Sequence, residues 1–161
     1  MPAEAQFASI LRQLPKLRRL GVLYDPANNQ VWFTAAAAVA AARGFELVPL
    51  PVRRQEGKLA MASDFSRLDA ILFIPDTSII SRSVIQHAIK QGVVHNTPVI
   101  GYNQFFYDSG AAFTLLIDYR TVGQQVARQV ERLLAGEKCD GVASPSHELV
   151  INEEVWRKLK R

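Results

Sequence analysis

The stretch RLGVLYDPANNQVWFTAAAAVAAARGFELVPLP, residues 19–51, decides how the rest of the chain is read. Its first six residues, RLGVLY, are an apolar run of strand length. A long helical stretch follows, about 29–43, stopped by Gly44, and FELVPL at 45–50 reads as a second strand. Strand, helix, strand with no hairpin turn between them implies parallel pairing, because parallel neighbours need a crossover long enough to bring the chain back. Pro49 and Pro51 lack the N–H that an inner strand must donate, so the second strand belongs at a sheet edge.

The same rhythm runs outward from this unit. Upstream, a helix is expected over 4–14. Downstream come a helix at about 54–66, strand DAILFI (69–74), a helix over 78–91 stopped by Gly92, strand TPVIGY (97–102), a short helix near 103–108 closed by Gly110, strand AAFTLLI (111–117) and a longer helix over 119–135. A loop with Pro145, a strand HELVI (147–151) and a terminal helix opened by Asn152 complete the chain, with Glu153 and Glu154 placed where the helix dipole favours acid. Right-handed crossovers and the edge character of the second strand give the sheet order 2-1-3-4-5. The expected fold is α/β: a flavodoxin-like three-layer sandwich on a parallel five-stranded sheet, plus a short C-terminal strand and helix. Residues 1–161 form one domain, with a core over 7–118, a separate helix over 119–137 and the terminal strand and helix over 147–161.

Bulk properties narrow the function. The 161 residues, 48% hydrophobic, suffice for one core. A net charge of +4 is spread over short groups (KLRRL at 16–20, VRR at 52–54, WRKLKR at 156–161), with neither a continuous basic face nor a reading module, so no nucleic-acid partner is expected. The single Cys139 excludes an internal disulfide and a cysteine-rich zinc site. MPAEAQFASI lacks the basic start and apolar centre of a secretory leader, and VWFTAAAAVAAA at 31–42 falls short of the roughly 20 residues that span a bilayer, so no membrane insertion is expected.

In open parallel sheets ligands sit beyond the carboxyl ends of the strands. Those ends read YDPANNQ (24–30), PDTSIIS (75–81), GYNQFFYDSG (101–110) and IDYRT (117–121). They gather Tyr24, Asp25, Asn28, Asp76, Thr77, Ser78, Tyr102, Asn103, Asp118 and Tyr119 on one rim, a set of short hydrogen-bonding groups and tyrosines suited to a small polar or zwitterionic molecule. Taken singly they have plainer roles: Thr77 or Ser78, and Asn28 or Asn29, as helix caps, and Asp25-Pro26 and Asp108-Ser109-Gly110 as turns. No enzyme, cofactor or metal is expected. The glycine-rich phosphate loop is missing, His87, His95 and His147 have no ligand-spaced partners, and Ser109 and Ser146 sit in no nucleophile elbow. The alternative is a structural, interaction or receiver-like regulatory domain without a small-molecule ligand; Asp25 and Asp76 suit a receiver, whereas DYRT after the fifth strand lacks its lysine.

The ordered set RLGVLYDPANNQ, LDAILFIPDTSIIS, TPVIGYNQFFYDSGA, IDYRTVGQQVARQVERLLAGEK and ELVINEEVWRKL resembles the substrate-binding proteins of ABC transporters, in particular the family that includes binders of aromatic amino acids. The resemblance implies one lobe, the second, of a type I periplasmic binding protein, whose two lobes close on ligand like a hinged clamp. It implies ligand contacts at Tyr24, Asn28, Asp76, Thr77, Ser78, Tyr102 and Asn103, with Asp118 and Tyr119 where the chain crosses the hinge. A non-enzymatic, amino-acid-like binding function, an ABC permease as partner and a site of action outside the cytoplasm follow from the same likeness.

Helix 119–135 then lacks its usual host. Val122, Val126, Val130 and Leu133 follow helical spacing, and burying four such side chains is worth about 1.5–3 kcal/mol each. The helix is expected either to fold onto its own sheet or to pair with a second copy in a homodimer.

Overall fold

The computed structural model describes residues 1–55, 58–60, 65–77, 80–139 and 144–159, with 53–55 and 58–60 described by their backbone alone. Helix α1 (Ala3–Gln13) leads into β1 (Arg19–Tyr24), α2 (Pro26–Ala42) and β2 (Glu46–Pro51). After β3 (Arg53–Gln55) and β4 (Lys58–Ala60) come β5 (Ala70–Phe73), α3 (Arg82–Val94), β6 (Val99–Gly101), α4 (Gln104–Asp108) and β7 (Phe113–Ile117). Helix α5 (Tyr119–Leu134), β8 (His147–Ile151) and α6 (Glu153–Leu159) follow.

The main sheet runs β2-β1-β5-β6-β7-β8. Its first five strands are parallel, in the order 2-1-3-4-5 expected for the five successive main strands, and β8 adds an antiparallel sixth in register Phe113↔Ile151 to Ile117↔His147. Strand alternation builds two cores. Leu20, Val22 and Leu72 face α1, α2 and α6, packing with Phe7, Phe33 and Trp156, while Leu23, Ile71 and Phe73 face α3 and α4, packing with Ile85 and Phe106. The fold is therefore α/β in three layers. Proline-bearing β2 is the edge, as its missing donors require.

Several boundaries differ from expectation. No helix occupies the described part of 54–66: β3 and β4 pair antiparallel, Arg53↔Ala60 to Gln55↔Lys58, continuing the edge strand after Val52 N–H bonds the Tyr24 carbonyl at 2.9 Å. Helix α2 starts a turn early, because the Asp25 carboxylate accepts the Ala27 N–H at 2.9 Å and Pro26 takes the first helical position. Asp25, not Asn28 or Asn29, is its cap. Helix α3 starts at Arg82, capped by Ser81, which accepts the Val84 N–H at 3.3 Å. Thr77 does not cap it, and Ser78 lies outside the described residues. Gly92 is inside α3: a Cβ there would stand 2.6 Å from the Thr97 carbonyl oxygen, so its role is close packing, and the turn falls at Asn96 with φ 54°.

Helix α5 buries none of its residues. It does not fold onto its own sheet: Tyr119, Val126, Leu133 and Leu134 are 57–83% exposed, reading 78%, 57%, 59% and 83%.

Candidate functional site

The loops after β1, β5, β6 and β7 emerge at one end of neighbouring strands, which places the expected rim along one edge of the sheet. Its best-built part is the junction of the first two loops. Asp76, 3% exposed, accepts the Asp25 backbone N–H at 2.9 Å and the Asn29 Nδ2–H at 2.7 Å, both on Oδ2. A carboxylate at the N-terminus of α2 also meets the positive end of that helix. Asp76 thus fastens the β5 loop to the start of α2.

Tyr102 brings in the third loop. Its phenol is pushed above the ordinary tyrosine range by burial and then by the charge of Asp76. The hydroxyl therefore keeps its proton further into the alkaline range than a free tyrosine. The bend that presents Tyr102 depends on Gly101: a Cβ there would stand 2.1 Å from Cβ of Phe106, so only glycine lets α4 dock on the end of β6. Asn103 caps α4 by accepting the Phe106 N–H at 3.3 Å and is itself exposed.

The remaining expected residues divide. Asn28 is exposed at the mouth and its Nδ2 donates to Asp25 Oδ2 at 3.0 Å; Thr77 is exposed beside it in sequence order after Asp76. Tyr24 turns away from the rim into the core. It is 4% exposed, its ring lies 4.6 Å from Phe33 at 5°, and its hydroxyl donates to Gln30 Oε1 at 3.2 Å. As the last residue of β1 it alternates inward with Leu20 and Val22. Asp118 caps α5, accepting from the Arg120 and Thr121 N–H groups at 3.0 and 3.1 Å and from the Thr121 hydroxyl, which holds its carboxyl below the usual range. Tyr119 is 78% exposed on the same helix. Both serve α5 and stand apart from the Asp25–Asp76–Tyr102 cluster in their bonding.

Three residues outside the expected rim set stand at a recess beside this junction. A recess of about 200 Å³ beside the β5 loop is lined by Met1, Gln6, Asn29, Trp32, Ile74 and Pro75. Asn29 could have been found from the asparagine pair at the rim; Gln6 carries no local signal, because α1 reaches the rim only through tertiary packing, and Trp32 lies on α2 three residues after Asn29. Gln6 Oε1 is buried without a hydrogen-bond partner among the described residues. Elsewhere, Ser9 Oγ lies 2.9 Å from His147 Nε2, and His147 Nδ1 lies 3.1 Å from the Pro145 carbonyl, which can only accept. Nδ1 therefore carries the proton and Nε2 accepts from Ser9. Ser9 is 2% exposed and also accepts from Arg12 at 3.0 Å, so the group ties α1 to β8. Among the described residues no cluster of three His, Cys, Asp or Glu side chains is arranged to hold a metal ion, and no helix is long and apolar enough to cross a membrane.

Comparison with known proteins follows the geometry. The family model described as ABC transporter substrate binding protein matches residues 1–160. The chain belongs to that family. No curated protein matches it. Among solved structures it is similar to a conserved domain protein from Vibrio cholerae, at 26% identity and TM-score 0.67, over 99% of this chain and 55% of the other. It is similar to an ABC domain in complex with L-Trp from Streptococcus pneumonia, at 18% identity and TM-score 0.65, over 99% and 55%. A ligand-free, open substrate-binding protein with adhesive properties from Clostridium difficile aligns at 20% identity and TM-score 0.65, over 94% and 53%. The chain spans just over half the length of these three structures, and the aligned part has the architecture of a periplasmic-binding-protein lobe.

Proposed function

We propose that this lobe binds a small amino-acid-like molecule at the mouth formed by Asn28, Asn29, Asp76, Thr77, Tyr102 and Asn103, and works without catalysis as part of an ABC import system outside the cytoplasm. Asp118 and Tyr119 serve as the hinge side of the same rim. The observation that carries the reading is Asp76: a buried carboxylate joined to two loops and sensed by the Tyr102 phenol supplies a fixed negative charge for an ammonium group, next to amide donors for a carboxylate. The complex of one structural relative with L-Trp supports an aromatic amino acid as the first ligand to try.

The partners follow from the same reading. A permease of the ABC type receives the ligand, and the bare face of α5 takes a second copy of the chain. A thermal-shift screen with amino acids tests the ligand proposal, since binding raises the melting temperature in proportion to the logarithm of concentration over Kd. A shift with an aromatic amino acid that disappears in Asp76→Ala and Tyr102→Ala is the expected result. A shift undiminished by both substitutions would overturn the placement.

A further inference from the structure

Outside the Asp25–Asp76–Tyr102 cluster, α1, the end of α2 and the start of β8 border a second recess, of about 530 Å³, where Ala5, Ala8, Ser9, Arg12, Arg43 and His147 stand. Its charge is one-sided. Arg12 and Arg43 bring guanidinium groups, no carboxylate lines the recess, and among the described residues neither arginine forms an ion pair. Arg12 is also tethered. Its Nη2 donates to Ser9 Oγ at 3.0 Å, the Ser9 hydroxyl donates to His147 Nε2 at 2.9 Å, and His147 Nδ1–H donates to the Pro145 carbonyl at 3.1 Å, so the bonds run one way from the cation into the fold. Ser9 is 2% exposed, which buries the anchor while the guanidinium it holds belongs to an exposed residue. Both arginines lie at C-terminal ends of helices, where the dipole accounts for a positive charge but not for a buried tether on it. An arginine held by one N–H keeps the rest of its fork free, and a fork already oriented loses less freedom when it binds.

We propose that this recess binds a phosphoryl group, as inorganic phosphate or as the head of a small phosphate monoester, through the guanidinium groups of Arg12 and Arg43. Each fork can take a pair of oxygens, and a tetrahedral dianion offers oxygens to both, whereas a carboxylate fills one. The small side chains of Ala5 and Ala8 leave room beside the anion for the organic part of an ester. The site takes no residue from the rim, so it is independent of the amino-acid reading.

Isothermal titration of the full chain tests the site, with inorganic phosphate, glycerol 1-phosphate and acetate as separate probes and the ionic strength held constant with potassium chloride. Saturable binding of one or both phosphate species is expected. Arg12→Gln and Arg43→Gln should each weaken it about tenfold or more, and Arg12→Lys several-fold, because lysine keeps the charge but loses the fork. Lys16→Gln, which removes an exposed charge outside the recess, should change it by less than about twofold. Both arginines are exposed, so the circular dichroism spectrum and ligand-free melting temperature of their variants should match the parent. Tighter binding of the ester assigns a monoester, and equal binding assigns the free ion. Heats that chloride alone reproduces, acetate bound as tightly as phosphate, or an equal loss in Lys16→Gln and Arg12→Gln overturns the site and leaves attraction by net charge only. Phosphate binding that survives Asp76→Ala, and an amino-acid thermal shift that survives Arg12→Gln, keep the two sites distinguishable.

Discussion

Strand β5 and helix α5 are both apolar segments with clear periodicity, yet every residue of β5 is buried and no residue of α5 is. The strand lies between β1 and β6 with a helix layer on each face, so its neighbours come from its own chain. The helix leaves the sheet at the rim, and its side-chain and thiol hydrogen bonds beyond the cap reach Glu137, Lys138, Cys139, Ser144 and Ser146. Apolar pattern alone states that a face needs covering; it does not state what covers it.

The sharpest way to break this contrast is in β5. Phe73→Ala, at a fully buried site packed 4.9 Å from Phe106, should cost about 3–5 kcal/mol in urea unfolding. An effect below about 1 kcal/mol would mean the second core is not formed as described. Next is the clamp between the loops. Asp76→Ala leaves the Asp25 N–H and the Asn29 amide without their acceptor, and should lower stability by about 1–3 kcal/mol. The milder Asp76→Asn removes only the charge, so the Tyr102 phenol should titrate at lower pH than in the parent, read by ring NMR shifts. An unmoved Tyr102 titration would separate the two loops electrostatically.

The cap assignment gives a smaller effect. Ser81→Ala should destabilise by about 1 kcal/mol, whereas Thr77→Ala, at an exposed position, should stay within about 0.5 kcal/mol. The smallest effects are expected in α5. Val126→Ser should change the unfolding free energy of the dilute chain by less than about 0.5 kcal/mol, because the side chain is mostly exposed. Asp118→Ala should speed amide exchange at the start of α5. The Asp118 carboxyl is lowered by its bonds to Thr121 and Arg120, so the capping contribution is present above the ordinary carboxylate range and fades as pH falls through the lowered value. The difference in exchange between parent and variant should therefore close in acid.

The strand order was legible because the inner strands are near-continuous apolar runs and β2 carries Pro49 and Pro51, both consequences of backbone hydrogen bonding that any parallel sheet imposes. The hairpin at 53–60 was misread as helix because three-residue strands carry too little periodicity to outvote a charged, helix-compatible composition. Which residue caps α3 was equally hidden. Thr77, Ser78 and Ser81 are all cap-forming types, and Ser81 takes the role after the chain has carried Asp76 to Asp25 and Asn29, partners 47 and 51 positions away. Tyr24 ends β1, and its ring stacks inward on Phe33, a pairing that strand position alone does not reveal.

Local chemistry in the sequence determined the parallel sheet, its edge, the polar strand ends and the apolar stripe of α5, because each follows from spacing within one segment. Tertiary structure alone decided that Asp76 is a buried fastener, that Tyr24 belongs to the core, that Gln6 and Trp32 reach the rim recess and that α5 stands bare. Those outcomes turn on which distant surface comes to lie against a side chain, and burial is a property of the pair.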